Sequence, residues 1–361
     1  MPPASWPALL PDRQTSWAVL VAVSGYTDPE LPDLPQAVDS VERLADALTG
    51  PDGVLDRARV IRLVDPQTPG EVLAALAEAA ASARGLLLFH YVGHGVTGAD
   101  ERLHLALPGT DGDPDHAART SLAAEAVFAT MHGAAAWSVA LLDCCFSGLA
   151  LDAPSAADVH LLTAADRDRK ALIPQGSQVT GFTAELLRVL DEGVPDGPEH
   201  LDLSLLHRRL AVALGTVPAG APVGSRAPNP CQRSVGSSGE LALARNPAHG
   251  TALSRDGLRA RARFAYRVAE VRHLKQPWRQ AQAAALLAGI AADATASLGP
   301  DDPDTLRLRH AHASLTGTAH GRQAALDLFT PLLAHMAAVL APDDAILVAA
   351  RDSAAHWSAR T

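Results

Sequence analysis

The sequence predicts an α/β/α sandwich with a mainly parallel sheet, followed by a small all-helical repeat domain. Apolar runs of strand length alternate with segments of helical period up to about residue 246, the pattern of strands buried under helices on both faces. From residue 255 onward the strand-like runs stop and the chain reads as helical throughout. Within that stretch Leu298-Gly299-Pro300-Asp301-Asp302 returns as Leu340-Ala341-Pro342-Asp343-Asp344, a period of 42 positions.

In chain order, Trp17 to Val23 is the first expected strand, ending in Ser24-Gly25-Tyr26. A helix from about Gln36 to Leu48 follows, with Ala37, Val41, Leu44 and Leu48 on one stripe. Val60 to Val64 is a second strand, and Thr68 to Ala83 a helix with Pro69 and Glu71 in its first turn. Leu86-Leu87-Leu88-Phe89 and Val139-Ala140-Leu141-Leu142 are central buried strands, separated by a short strand at Leu103 to Leu107 and a helix from Ser121 to Met131. Later come a strand at Val159 to Thr163, helices at Phe182 to Leu190 and Leu203 to Leu214, and a last strand at Leu241 to Ala244. Two stretches read as mobile loops or processing sites: Asp166 to Lys170 with its flanks, and the Pro/Gly/Ser-rich segment from Val217 to Gly239.

The composition is globular, with 48% hydrophobic residues and a net charge of −10. No run of 18 apolar residues occurs and the N-terminus lacks a signal-peptide pattern, so the expected location is the cytoplasm, with no membrane partner. Three cysteines, two of them adjacent, make no disulfide framework and fit a reducing compartment. Residues 255–361 hold 13 Arg and Lys against 10 Asp and Glu, leaving 17 against 30 for residues 1–254. An acidic first domain disfavours nucleic acid and favours a peptide partner with basic residues. Lys170 and Lys275 are the only lysines among 30 basic residues, a bias that suggests a GC-rich bacterial genome.

Two motifs carry the chemistry. Tyr91-Val92-Gly93-His94-Gly95 and Asp143-Cys144-Cys145-Phe146-Ser147-Gly148 each end a central strand, which delivers a histidine and a cysteine to the carboxyl edge of one sheet. An ordinary thiol is only a few per cent thiolate at neutral pH, so a nucleophilic cysteine needs an imidazole beside it. His94 can supply it, and the amides of Gly95 and Cys145 are placed to donate to an oxyanion. Strand alternation puts Asp143 and Cys145 on one face and Cys144 on the other. Ser147 reads as a turn-former. His90 and His94 have the i, i+4 spacing of a helical metal site but lie on a strand, so no zinc site is expected.

With these residues in view, the chain resembles the caspase-like peptidases, in particular metacaspases and short bacterial caspase-family proteins. Their histidine loop reads Tyr-x-Gly-His-Gly and their cysteine loop Asp-x-Cys-x-Ser-Gly, with the histidine about 50 residues upstream. The resemblance implies a caspase-hemoglobinase fold over residues 14–246 and a cysteine endopeptidase with catalytic His94 and Cys145. It also implies a primary (S1) pocket in which Asp143 binds arginine or lysine, with a second acid at Asp39, beside Ser40, and a role in bacterial stress, antiviral or cell-death signalling. Self-cleavage is then expected within Arg167 to Lys170 or at Arg226 or Arg233. No cofactor is expected. The alternating aspartates of Pro108 to Asp113 offer carboxylates of the kind calcium takes in some metacaspases, but the later ligands are missing and the segment reads as a solvated loop.

The helix pairs of residues 255–361 resemble the tetratricopeptide variety of kinesin light chain, an array too short to stand without a neighbour and an expected seat for a regulatory protein. Arg259, Arg261, Arg263 and Arg267 read as its solvated face. A second class of function also fits the sequence: a catalytically silent caspase-like scaffold that acts through the repeats.

Overall fold

The computed structural model describes residues 9–167, 177–215, 227–270 and 278–359. They divide into two compact units, one formed by residues 1–193 and 198–247 and the other by residues 194–197 and 248–361.

The first unit is built on a six-stranded sheet. Its strands are β1 (Trp17–Ala22), β2 (Val60–Val64), β3 (Leu86–Val92), β7 (Trp137–Asp143), β8 (Val159–Thr163) and β10 (Cys231–Arg233), in the order β10-β8-β7-β3-β1-β2. All pairings are parallel except β10 on β8. A small antiparallel sheet of β4 (Gly95–Thr97), β5 (Leu103–Leu105) and β6 (Leu122–Ala123) follows β3, and β9 (His200–Asp202) pairs with β11 (Ala242–Arg245). Helices α1 (Gln36–Thr49) and α5 (Gly181–Glu192), backed by α6 (Leu203–Ala213), cover one face. On the other lie α2 (Pro69–Ser82) and α4 (Ala124–Met131), while α3 (Pro114–Thr120) sits beside β4. Strands β3, β7 and β8 are buried almost throughout, which is why they read as unbroken apolar runs. Val72, Leu76, Val127, Phe128 and Met131 pack on Phe89, Tyr91, Ala140 and Leu142 to form a core on this face of the sheet.

The segment expected to be a mobile loop from Val217 to Gly239 divides in two: residues 217–226 lie outside the described residues, and from 227 the chain is tied to the sheet. Gln232 Nε2 lies 2.9 Å from His160 Nε2, and His160 Nδ1 lies 2.8 Å from Ser238 Oγ. Burial lowers the His160 pKa to about 4, so the ring is neutral and serves as one donor and one acceptor across this pair. A three-residue edge strand of polar residues carries too little apolar signal to be read from sequence.

The second unit stacks α7 (Arg255–Glu270), α8 (Trp278–Leu298), α9 (Pro303–His320), α10 (Arg322–Val339) and α11 (Ala345–Ala359), each packed on the next. The 42-residue period is physical. Helix α9 begins at Pro303 and α11 at Ala345, and the paired positions Ala283/Ala325 and Leu287/Phe329 are all buried. Asp302 and Asp344, equivalent under that shift, accept from the amides of Asp304 and Ile346 at 2.9 and 2.8 Å to cap these two helices. Residues Arg279–Leu298 are long and apolar enough by composition to cross a bilayer, but their apolar positions Ala283, Leu287, Ile290 and Ala294 are buried within this unit.

The expected solvated arginine face is instead partly an ion-pair network. Arg255 reaches Asp302 at 2.7 and 2.9 Å and Asp304 at 2.5 Å, Arg259 reaches Asp304 at 2.8 Å, and Arg261 reaches Asp293 at 2.8 Å. Hydrogen bonds from Arg255 hold the Asp302 pKa at about 2. Burial pushes Asp304 up, but Arg255 and Arg259 outweigh it and leave its pKa lowered. Because both carboxyls titrate below their unfolded values of about 4, their contribution is fully present above pH 4 and is lost as pH falls toward 2. In thermal melts, Asp302→Asn should therefore melt lower than the parent at pH 7 and lose less of its melting temperature between pH 5 and 2.5. Equal slopes for the two proteins would show that the network contributes nothing.

Candidate active site

The register of β3 on β7 brings the two motifs together. Val92 pairs with Asp143, and the Gly93 amide lies 3.4 Å from the Asp143 carbonyl, so the histidine loop and the cysteine loop leave neighbouring strands at the same level. Beyond the strands they stay in contact. A methyl group at Gly95 would lie 2.1 Å from the Cys145 carbonyl oxygen and 3.1 Å from Cys144 Sγ, an approach open only to glycine. The Ala106 amide donates to the His94 carbonyl at 2.9 Å, and Gly95 pairs with Leu105. By the alternation of an antiparallel ladder, the Gly95 amide then faces away from β5.

His94 is half-buried and held on three sides. Its Nε2 lies 2.7 Å from the Pro32 carbonyl oxygen, which can only accept, so Nε2 carries a proton in the neutral ring and the Nδ1 lone pair is left to take one from a thiol. Its backbone amide donates to Tyr26 Oη at 2.9 Å, and the Tyr26 ring stands 4.8 Å from the imidazole, centroid to centroid. Tyr91 Oη lies 2.6 Å from the Ala106 carbonyl and 2.9 Å from that of His94. Burial raises the pKa of both phenols, so each remains a neutral clamp on the loop. His90, one turn of the strand earlier, is fully buried with Nδ1 3.1 Å from the Leu141 carbonyl, and burial lowers its pKa to about 4.

The adjacent cysteines part as strand alternation predicts. Cys144 is buried in the core with Tyr91 and Leu142, and burial pushes its thiol well above the ordinary range, which keeps it protonated. Cys145 is partly exposed at the sheet edge. The turn that presents it depends on Phe146 in the left-handed region, at φ 57°, a strained conformation for an aromatic residue. Ser147 does shape the turn: its hydroxyl lies 3.2 Å from the Ala165 carbonyl and accepts from the Ala165 amide at 3.1 Å.

Asp143 is 2% exposed and faces α5. Its Oδ2 accepts from the hydroxyls of Thr180 and Thr183 and from the Thr183 amide, the last two at 2.7 and 3.2 Å. Its Oδ1 is buried with no hydrogen-bond partner among the described residues. Burial raises the Asp143 pKa against these hydrogen bonds. Of the pair Asp39-Ser40 it is Ser40, not Asp39, that joins the network. Ser40 Oγ accepts from the Thr180 amide at 3.1 Å, whereas Asp39 is exposed on the first turn of α1. Neighbouring positions on a helix are turned by about 100°, so one residue of misalignment exchanges a buried side chain for a solvated one. The carboxylates of Asp111 and Asp113 are spent on turn and cap hydrogen bonds to the amides of Asp113 and Asp115 at 3.0 and 2.9 Å, and Asp111 also meets His116 at 2.9 Å.

The caspase domain family model matches residues 15–235. The chain belongs to the caspase domain family. Among solved structures it is similar to caspase-1 of Spodoptera frugiperda, at 11% identity and a TM-score of 0.49, over 69% of this chain and 97% of that one. It is also similar to a protein of Geobacter sulfurreducens, at 15% identity and a TM-score of 0.44, over 65% of this chain and 98% of that one. The precursor form, pro-Sf-caspase-1, matches at 12% identity and a TM-score of 0.44, over 65% of this chain and 97% of its own. No curated protein matches.

Sequence reading alone misses the residues around the dyad: the Pro32 carbonyl, Tyr26, Ser40, Thr180 and Thr183. A backbone carbonyl has no side-chain signature, and two threonines at a helix start read as ordinary caps. The close approach of Gly95 gives a prediction here. Gly95→Ala should lower kcat/KM at least a hundredfold and cost about 1–3 kcal/mol of stability, as overpacking does. Gly109→Ala, which adds a methyl with nothing within 4 Å, should change neither. Activity assays and melts on both variants check it.

Proposed function

We propose that this chain is a cysteine endopeptidase that cleaves proteins after arginine, with Cys145 as nucleophile and His94 as its proton acceptor and donor. The observation that carries the reading is the level pairing of β3 and β7, which sets the His94 loop against the Cys145 turn. In the reaction, the Cys145 thiol gives its proton to His94 Nδ1 while the sulfur attacks the scissile carbonyl carbon. The Gly95 and Cys145 amides are the donors for the oxyanion, and the Pro32 carbonyl, bonded to Nε2–H, stabilises the imidazolium. His94 then returns the proton to the departing amine, and water hydrolyses the thioester with His94 as base.

The preference for arginine rests on Asp143. Its carboxylate faces α5 with Oδ2 fixed by three donors and Oδ1 buried and unmatched among the described residues, a half-satisfied acceptor that an entering guanidinium would complete. Ser40 holds Thr180 in place, and Asp39, exposed beside it on α1, is read as adding negative charge that favours a basic substrate. Self-cleavage within Arg167 to Lys170 or at Arg226 belongs to this reading, and residues 168–170 and 226 lie outside the described residues. Arg233 is set aside, because it is paired with Leu161 in the sheet and its guanidinium bonds the Leu151 carbonyl at 2.8 Å. A peptidase needs an extended, unpaired chain. The helical unit is proposed as the regulatory part, in a cytoplasmic bacterial stress, antiviral or cell-death response, with no metal required for the chemistry. Fluorogenic peptides ending in arginine, lysine, aspartate or alanine test the specificity: arginine should be cleaved best, and a preference for aspartate would refute the pocket.

A further inference from the structure

Between α7 and α9 of the helical unit runs a groove of about 400 Å³ with two chemically distinct ends. At one end Arg259 and Arg307 meet Asp304, and at the other stand Tyr266, Leu308 and Ala311. Arg263 lies between them, exposed and without a carboxylate partner among the described residues.

Two features mark this as a binding surface rather than a packing fault. Tyr266 is 43% exposed, one of six large hydrophobic side chains so placed among the described residues, and it lies beside cations. The arginine heads are also fixed in advance. Asp304, with its side chain 7% exposed, takes Arg259 through one nitrogen at 2.8 and 3.1 Å and Arg307 through one nitrogen at 3.2 Å. Arg259 also has the solvent-exposed Asp256 at 3.7 Å, a pair beyond hydrogen-bond length, so N–H donors of both forks are left for a second acceptor while their positions are already held. A ligand carboxylate then meets cations whose ordering entropy is largely spent.

We propose that this groove binds an acidic peptide segment of a partner protein, taking its carboxylates on Arg259, Arg263 and Arg307 and an apolar side chain against Tyr266, Leu308 and Ala311. Charge complementarity selects the occupant. Its lining holds three arginines and one carboxylate, and even with the exposed Asp256 beside Arg259 counted the groove stays cationic inside a chain whose net charge is −10. The apolar floor of Leu308, Ala311 and Tyr266 matches a peptide side chain and offers nothing to the charged backbone of a polynucleotide, which is what separates the two anionic occupants. Arg263 and Tyr266 are about one helical turn apart, roughly 5 Å, so an extended peptide spans the two ends in two or three residues. The proposal rests on the reading of the helical unit as regulatory and not on the chemistry of Cys145.

The test uses the full chain carrying Cys145→Ala, so that binding is read without cleavage. Fluorescein-labelled peptides with two glutamates followed two or three positions later by leucine or phenylalanine are titrated by fluorescence anisotropy, with glutamine-for-glutamate peptides as controls. The acidic peptides should bind at least tenfold more tightly than their controls and weaken with added salt. Arg263→Glu should remove at least tenfold of that affinity and Tyr266→Ala severalfold, with melting temperatures unchanged. Equal binding of acidic and glutamine peptides, an affinity unmoved by Arg263→Glu, or tighter binding of a single-stranded oligonucleotide than of any acidic peptide would each overturn the proposal.

Discussion

Cys145→Ala and His94→Ala are each expected to lower kcat/KM on an arginyl peptide by about four orders of magnitude or more, because nucleophile and base act as one unit and removing either stops the covalent step. Cys144→Ala is expected to retain most activity. Its thiol is buried in the core and held protonated by that burial, so its loss costs about 1 kcal/mol of packing and little chemistry. Initial rates with the three purified variants decide the matter. An inactive Cys144→Ala beside an active Cys145→Ala would mean that the cysteine loop has been read one residue out of step.

Asp143→Ala is expected to weaken arginyl substrates about a hundredfold or more, the scale of losing a desolvated bidentate ion pair. The reactivity of Cys145 toward a small alkylating agent should survive. Removing this carboxylate also strands the hydroxyl of Thr183 and leaves that of Thr180 with Ser40 alone, so some stability is lost with it. The two effects separate in the comparison with alanyl peptides, whose cleavage should change far less than that of arginyl ones. A uniform fall across all peptides would make Asp143 a structural residue only.

Much of the fold was legible because the central strands are buried on both faces and so announce themselves as apolar runs; β8 has the bounds that such a run suggests, and so does the half-exposed edge strand β2, whose residues are mostly apolar too. Strands β4, β6, β9 and β10 were not, since two or three residues give no periodicity and their pairing is decided by partners distant in sequence. The same holds for charges. Arg255 and Arg259 look solvated on their own helix, and only the fold brings Asp302 and Asp304 to them across more than 40 positions. In the site, the motif named His94 and Cys145 because glycines and aspartate accompany them at fixed offsets. The supporting shell carries no such signature: the Pro32 carbonyl is backbone, and whether Asp39 or Ser40 reaches Thr180 is a question of helix phase that sequence cannot settle to one residue.

The central claim is that His94 activates Cys145, and the alkylation rate of each cysteine, followed by mass spectrometry at neutral pH in the parent and in His94→Ala, tests it most directly. An unassisted thiol is only a few per cent thiolate there, so assistance is worth up to roughly thirtyfold. The account predicts that iodoacetamide modifies Cys145 first in the parent, that this rate falls at least tenfold in His94→Ala, and that Cys144 stays unmodified in both. Equal Cys145 rates in the two proteins, or modification of Cys144 ahead of Cys145, would contradict it.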